Sequence, residues 1–190
     1  MINLSEDPRA ALELTRYHSW RRLRDQSVGE HSCQIMRILL TVWPDCPRRM
    51  LVYAVTHDMG EMAGDIQYPY KLKYPELKPL MDRVEKDVVG VMRDGLGAPP
   101  AVMLSKYELD VFKIVEFVEM FEYGLSEQGM GNQYARIISS RCILAASELM
   151  GRLEPGDALD IRPAIKRYVD ARAEWEGQNQ NTTASDKKET

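Results

Sequence analysis

Apolar residues recur at helical spacing through most of this chain, and the alternation expected of strands is nearly absent. Residues 7–20, DPRAALELTRYHSW, open a first helix, with Asp7 as N-cap and Pro8 at the first helical position, where a missing N–H does no harm. The run SVGEHSCQIMRILLTVW sets His31, Ile35 and Leu39 at spacings of four on one face, and Pro44 and Pro47 stop it. RRMLVYAVTHDMGEM reads as a third helix that carries Leu51, Ala54 and Val55 into His57 and Asp58. The stretch AGDIQYPYKLKYPELKP, rich in Gly, Pro and Tyr, predicts a structured loop. Beyond it, ELKPLMDRVEKDVVGVM places Leu77, Leu80, Met81, Val84 and Val88 on one helical face, and DGLGAPP ends it. ELDVFKIVEFVEMFEYGL is apolar enough to predict burial, and NQYARIISSRCILAASELMGRL and IRPAIKRYVDARAEWE complete the helices. The expectation is an all-α bundle, one domain over residues 1–176. The tail 177–190, GQNQNTTASDKKET, lacks apolar residues and predicts disorder.

With 190 residues, 44% apolar and 28% charged, the chain can bury one real core. A net charge of -4 gives no electrostatic reason to expect a nucleic-acid polymer as partner, though local basic groups can still hold a small anion. Cys33, Cys46 and Cys142 are scattered, odd in number and form no CxxC pair, which predicts a reducing, intracellular compartment. The start MINLSEDPRAALEL is too charged for a signal peptide, and no apolar run approaches about 18 residues. A cytoplasmic protein without membrane contact is expected, in whichever cell or infected cell makes it.

His57 and Asp58 are adjacent, and His31 opens an earlier apolar run. Imidazole and carboxylate are ordinary ligands for a divalent cation, and neighbours on a helix point about 100° apart, so such a pair can bracket one ion. A histidine on an apolar face is more often a satisfied core residue, and a His-Asp dipeptide often arises by chance. The carboxylates that follow add weight: Glu61 lies three residues after Asp58 and four after His57, and Asp65 follows Gly64. A carboxylate beside a metal positions or deprotonates a water. The competing reading of Glu61 and Asp65 is a solvated helix end.

Taken together, RYHSWRRLRDQSVGEHS, HDMGEMAGDIQYPYK and FKIVEFVEMFEYG resemble the HD-domain superfamily of metal-dependent phosphohydrolases. The nearest likeness is to bacterial 5'-deoxynucleotidases and to small phage enzymes that hydrolyse dATP. It covers roughly residues 10–150. An Arg-aromatic pair, Arg16 and Tyr17, precedes the EHS histidine, and the second segment matches at His57, Asp58, Glu61, Gly64, Asp65, Pro69 and Lys71.

The resemblance implies an HD-domain helical bundle in which His31, His57 and Asp58 bind Co2+, Mn2+, Zn2+ or Mg2+. Glu61 would orient the attacking water, and Asp65 would act near the phosphoester or the sugar. Arg16 would hold a phosphate, for which its planar fork is suited. Tyr17 stands where relatives often carry Trp and would flank the nucleoside, with Ser19 and Trp20 near the base. Lys71 and Lys73 would neutralise further phosphate charge; plain surface solvation is the alternative for Lys73. The chain departs from the family pattern at the fourth metal ligand, an aspartate in relatives. FKIVEFVEM puts Glu116 there, one methylene longer, with Asp110 as its rival.

The implied activity is hydrolysis of the 5' phosphoester of a deoxynucleoside phosphate of the dATP or dAMP type, releasing deoxynucleoside and triphosphate or phosphate. The sequence sets neither the base nor the phosphate number. A catalytically inactive nucleotide-sensing module is the second reading, prompted by Glu116 and opposed by the retention of Glu61 and Asp65. The implied partner is a small deoxynucleotide. Relatives form homo-oligomers, and the helices over Glu76–Met92 and Asn132–Leu153 carry more apolar surface than one bundle of this size needs.

Overall fold

A computed structural model describes residues 8–17, 21–63, 73–96, 103–154 and 160–186. Among these the protein is all-α, with seven α-helices, one 3-10 helix and no strand. In chain order they are α1 (Pro8–Glu13), α2 (Val28–Val42), α3 (Arg48–Thr56), the 3-10 helix (Met59–Ala63), α4 (Leu77–Leu96), α5 (Lys106–Gly129), α6 (Ala135–Arg152) and α7 (Arg162–Asp186). The range expected to form one domain divides into two compact units, each assembled from three stretches of chain. The first takes residues 1–20, 25–36 and 47–103; the second takes 21–24, 37–46 and 104–190. The first half of α2 belongs to one unit and the second half to the other.

In the first unit α1 is shorter than its periodicity predicts. The Val28 N–H donates to the Leu14 carbonyl and the Arg16 N–H to the Gln26 carbonyl, both at 2.8 Å, and Thr15 and Ser27 form an isolated bridge. Backbone groups satisfied this way are withdrawn from a helix. Ser27 then caps α2, its Oγ accepting the Glu30 N–H at 3.0 Å. Ala11, Met59 and Val88 are buried together with Val89 against them, which ties α1, the 3-10 helix and α4 into one small core. Of the five apolar residues predicted on one face of α4, Val88 is buried, whereas Leu80 and Val84 are exposed. The helix packs through the side that bears Glu85 and Val88.

In the second unit α5 begins with a reciprocal capping box. Ser105 Oγ accepts the Glu108 N–H, and the Glu108 carboxylate accepts the Ser105 N–H. Its predicted burial is observed at Val111, Phe112, Ile114, Val115 and Val118. A Cβ on Gly124 would meet Ser139 Cβ at 3.0 Å and its backbone N at 3.2 Å, so α5 and α6 approach closely there. α7 also packs on α5 and continues to Asp186, into the stretch whose composition predicts disorder. Helix elongation adds a backbone hydrogen bond per residue without a new nucleus, a contribution that side-chain composition does not register. No helix among the described residues is long and apolar enough to cross a membrane.

All three cysteines are free thiols. Burial, then the nearby charges of Glu116 and Glu119, push the Cys142 thiol up to about 12. An acid whose folded value is raised keeps its proton while the unfolded chain loses one. Stability is therefore full below the unfolded value and falls as pH rises from there towards the folded value. Between pH 8 and pH 10.5 this thiol alone removes roughly 2 kcal/mol, given an unfolded value of about 8.5. Urea midpoints at the two pH values should show a smaller alkaline loss for Cys142→Ala than for the wild type; equal losses would contradict the assignment.

Candidate metal centre

His31 lies on the inward face of α2, one turn before Ile35 and two before Ile38, and its ring is fully buried. His57 follows directly on α3, its N–H donating to the Tyr53 carbonyl at 2.9 Å. The third helix read from the sequence thus stops at Thr56, one residue short of the pair, and the chain tightens into the 3-10 helix that starts at Met59. A 3-10 helix has three residues per turn. Asp58 and Glu61 therefore keep a common side, with the Glu61 N–H on the Asp58 carbonyl at 3.0 Å, whereas His57 and Glu61 lose the four-residue relation the sequence suggested.

The imidazole of His57 places Nδ1 at 2.9 Å from the Ala54 carbonyl. A carbonyl only accepts, so Nδ1 carries the proton and Nε2 presents its lone pair. That nitrogen is 3.3 Å from Asp58 Oδ1, and His31 Nε2 is 3.6 Å from Oδ2 of the same carboxylate. The two imidazole rings have centroids 5.4 Å apart. One donor atom from each of His31, His57 and Asp58 lies within 4.8 Å of the other two. Two imidazole nitrogens and one anionic oxygen suit Zn2+, Mn2+ or Co2+, and a backbone carbonyl that fixes a ligand's tautomer is the usual support of a metal-binding histidine. These residues fit a divalent cation.

Burial alone would raise the Asp58 carboxyl. With the imidazoles protonated, as opposed to the neutral form a cation would bind, the hydrogen bond and charge of His57 outweigh it, with the charges of Arg16 and His31 added, and hold the group far below the ordinary carboxylate range. Asp58 is thus an anion at any physiological pH. Its Oδ2 also pairs with the Arg16 guanidinium. That guanidinium lies 5.4 Å from the centre of the Tyr17 ring. Tyr17 has φ 55°, a left-handed conformation that bulky residues seldom adopt and that tends to mark functional sites.

Gly60 explains why the turn after Asp58 needs a glycine. A Cβ there would sit 2.9 Å from both Cα and O of Glu85 on α4. Backbone cannot yield as a side-chain tip does, so Gly60→Ala should cost roughly 1–3 kcal/mol and loosen metal binding, because Asp58 is two residues away. Thermal melts with and without Mn2+ test this; an unchanged melting temperature and unchanged metal affinity would refute it.

Arg16, Tyr17, His31, His57, Asp58 and Glu61 all belong to the first unit. Lys73, in the same unit, is exposed, with its Nζ 5.3 Å from the centre of the Tyr74 ring. Ser19, Trp20, Asp65 and Lys71 lie outside the described residues. Glu116 and Asp110 are on α5 in the second unit, where Glu116 pairs with Lys113 at 2.7 Å and Asp110 with Lys106. Sequence reasoning passed over a different set of carboxylates on that helix: Glu108, Glu119, Glu122 and Glu127 are all buried. The signal was available, since a charged residue inside so apolar a helix must be hydrogen-bonded or paired.

No family model, curated protein or solved structure matches this chain. Its function is read from its own residues.

Proposed function

We propose that the protein is a metal-dependent phosphohydrolase of the HD type that cleaves the 5' phosphoester of deoxynucleoside phosphates. The observation that carries this reading is the convergence of His31, His57 and Asp58 on one point, with Arg16 at the same carboxylate. A divalent cation held by those three residues supplies Lewis acidity at a phosphate and a water of lowered pKa. Arg16 neutralises charge that develops on the phosphoryl oxygens. Glu61 accepts a proton from the attacking water, and Tyr17 flanks the nucleoside. Asp65, Lys71, Lys73, Ser19 and Trp20 keep the proton-handling, anion-holding and base-facing roles that the family resemblance gives them. The fourth donor is the one position left to the family resemblance, which names Glu116 with Asp110 as its rival; metal titration of Glu116→Gln beside Asp110→Asn tests that assignment, the first weakening binding and the second leaving it unchanged if Glu116 is the donor.

The test is a product assay on the purified chain with the four dNTPs and four dNMPs and Co2+, Mn2+ or Zn2+. Release of deoxynucleoside with triphosphate or phosphate is the expected result, and it also fixes base preference and phosphate number. No release from any nucleotide defeats the enzyme reading. A nucleotide-dependent rise in melting temperature without turnover would instead support the sensing module.

A further inference from the structure

Three side chains converge on the Asp58 carboxylate. Its Oδ1 faces His57 Nε2 at 3.3 Å, its Oδ2 faces His31 Nε2 at 3.6 Å, and the Arg16 guanidinium pairs with the same Oδ2. The Arg16 and Asp58 side chains are only 11% and 17% exposed, so water and salt screen this pair poorly. With neutral imidazoles, as cation binding requires, these four side chains sum to no net charge. A divalent cation adds two positive charges there. Arg16 opposes that cation twice: it takes up an oxygen of the one anionic donor, and it repels the ion directly.

The guanidinium can turn away without moving the backbone. The Arg16 N–H donates to the Gln26 carbonyl at 2.8 Å, and Thr15 bridges to Ser27, so the chain is pinned at that point. The long stem of the arginine carries the rest of the motion. We propose that the Arg16–Asp58 pair is a latch that makes cation binding and phosphate binding depend on each other.

Each ligand works against the latch from its own side. The cation claims Asp58, and a phosphate claims the planar fork of Arg16. Whichever binds first must part the pair, and the second then meets a partner already released. Positive coupling follows, equal in both directions. The inference rests on the phosphohydrolase reading for its two ligands and adds that Arg16 weakens the hold on a lone cation. The sign separates this role from ordinary support. Loss of a residue that merely orients a metal ligand lowers affinity roughly 10–100-fold. Loss of Arg16 raises it.

Mn2+ titration of the full chain, followed by the electron paramagnetic resonance signal of the aqueous ion, reads both effects. Without phosphate, Arg16→Gln and Arg16→Met should each bind Mn2+ at least about fivefold tighter than the wild type. Millimolar inorganic phosphate, read against a protein-free blank, should tighten wild-type Mn2+ binding at least about fivefold and the variants less. Variants that bind Mn2+ no tighter than the wild type, or that gain as much from phosphate, would overturn the latch and leave the metal centre standing. A wild-type affinity that phosphate does not change would overturn it without recourse to any variant. No Mn2+ binding by any of the three proteins, with or without phosphate, would overturn the phosphohydrolase reading and the latch with it.

Discussion

Asp58→Ala should purify without metal and turn over no nucleotide. Asp58 is the one anionic donor of the three converging residues, and both imidazole nitrogens face its carboxylate at 3.3 and 3.6 Å. Two neutral nitrogens alone hold a divalent cation far more weakly, and a water that replaces the carboxylate brings neither its charge nor its fixed position. The loss should exceed the roughly 10–100-fold drop in affinity typical of outer residues that merely support a ligand. His57→Ala should behave alike. Glu61→Ala should not: metal stays, and the rate falls by roughly 10²–10⁴, the range for a lost general base. Metal analysis by mass spectrometry beside the product assay separates the cases. Full metal stoichiometry in Asp58→Ala would end the assignment, and a metal-free Glu61→Ala would make Glu61 a ligand.

Glu127→Ala should be the most destabilising single substitution of a polar residue in the second unit, by about 3 kcal/mol or more. The carboxylate is 1% exposed. It accepts the backbone N–H of Leu23 at 2.7 Å, that of Arg24 at 2.9 Å and the Asn132 side-chain amide at 2.7 Å. Asn132 in turn donates to the Arg21 carbonyl, and Tyr123 to the Arg24 carbonyl. Truncating Glu127 leaves three donors without their acceptor, each worth about 1–3 kcal/mol when it stays dry, and Leu23 and Arg24 escape part of that by reaching water. Glu127→Gln keeps one acceptor oxygen but turns an amide NH2 towards another donor, so it should fall between. Urea unfolding measures the series; a Glu127→Ala loss below about 1 kcal/mol would show that this network does little.

The long helices could be read from the sequence because each is amphipathic or apolar over several turns, a signal that averages over many residues. Within them His31 stood out as a histidine at an apolar spacing, and the structure brings it to His57 and Asp58. Short elements were harder to read. The 3-10 helix after Asp58 depends on the contact of Gly60 with the Glu85 backbone, some 25 residues away in the chain. The early end of α1 depends on pairing with residues 26–28. Neither contact leaves a local pattern. The Glu127 network was hidden for the same reason, since its donors are backbone N–H groups of a distant segment, which every sequence possesses and none advertises.

The second unit takes residues 21–24 and 37–46 from the first third of the chain and everything else from residue 104 onward. A ribosome therefore delivers Leu23, Arg24, Ile38, Leu39 and Val42 well before Glu127 and the rest of α5. At ordinary translation rates the roughly 80 residues between Cys46 and Glu127 take about 4–16 s to synthesise. During that interval Ile38 and Leu39, both fully buried in the finished protein, wait for the residues from 104 onward that make up most of their unit. The nascent chain must carry an unfinished apolar surface for seconds, a natural substrate for chaperones that wait at the exit tunnel.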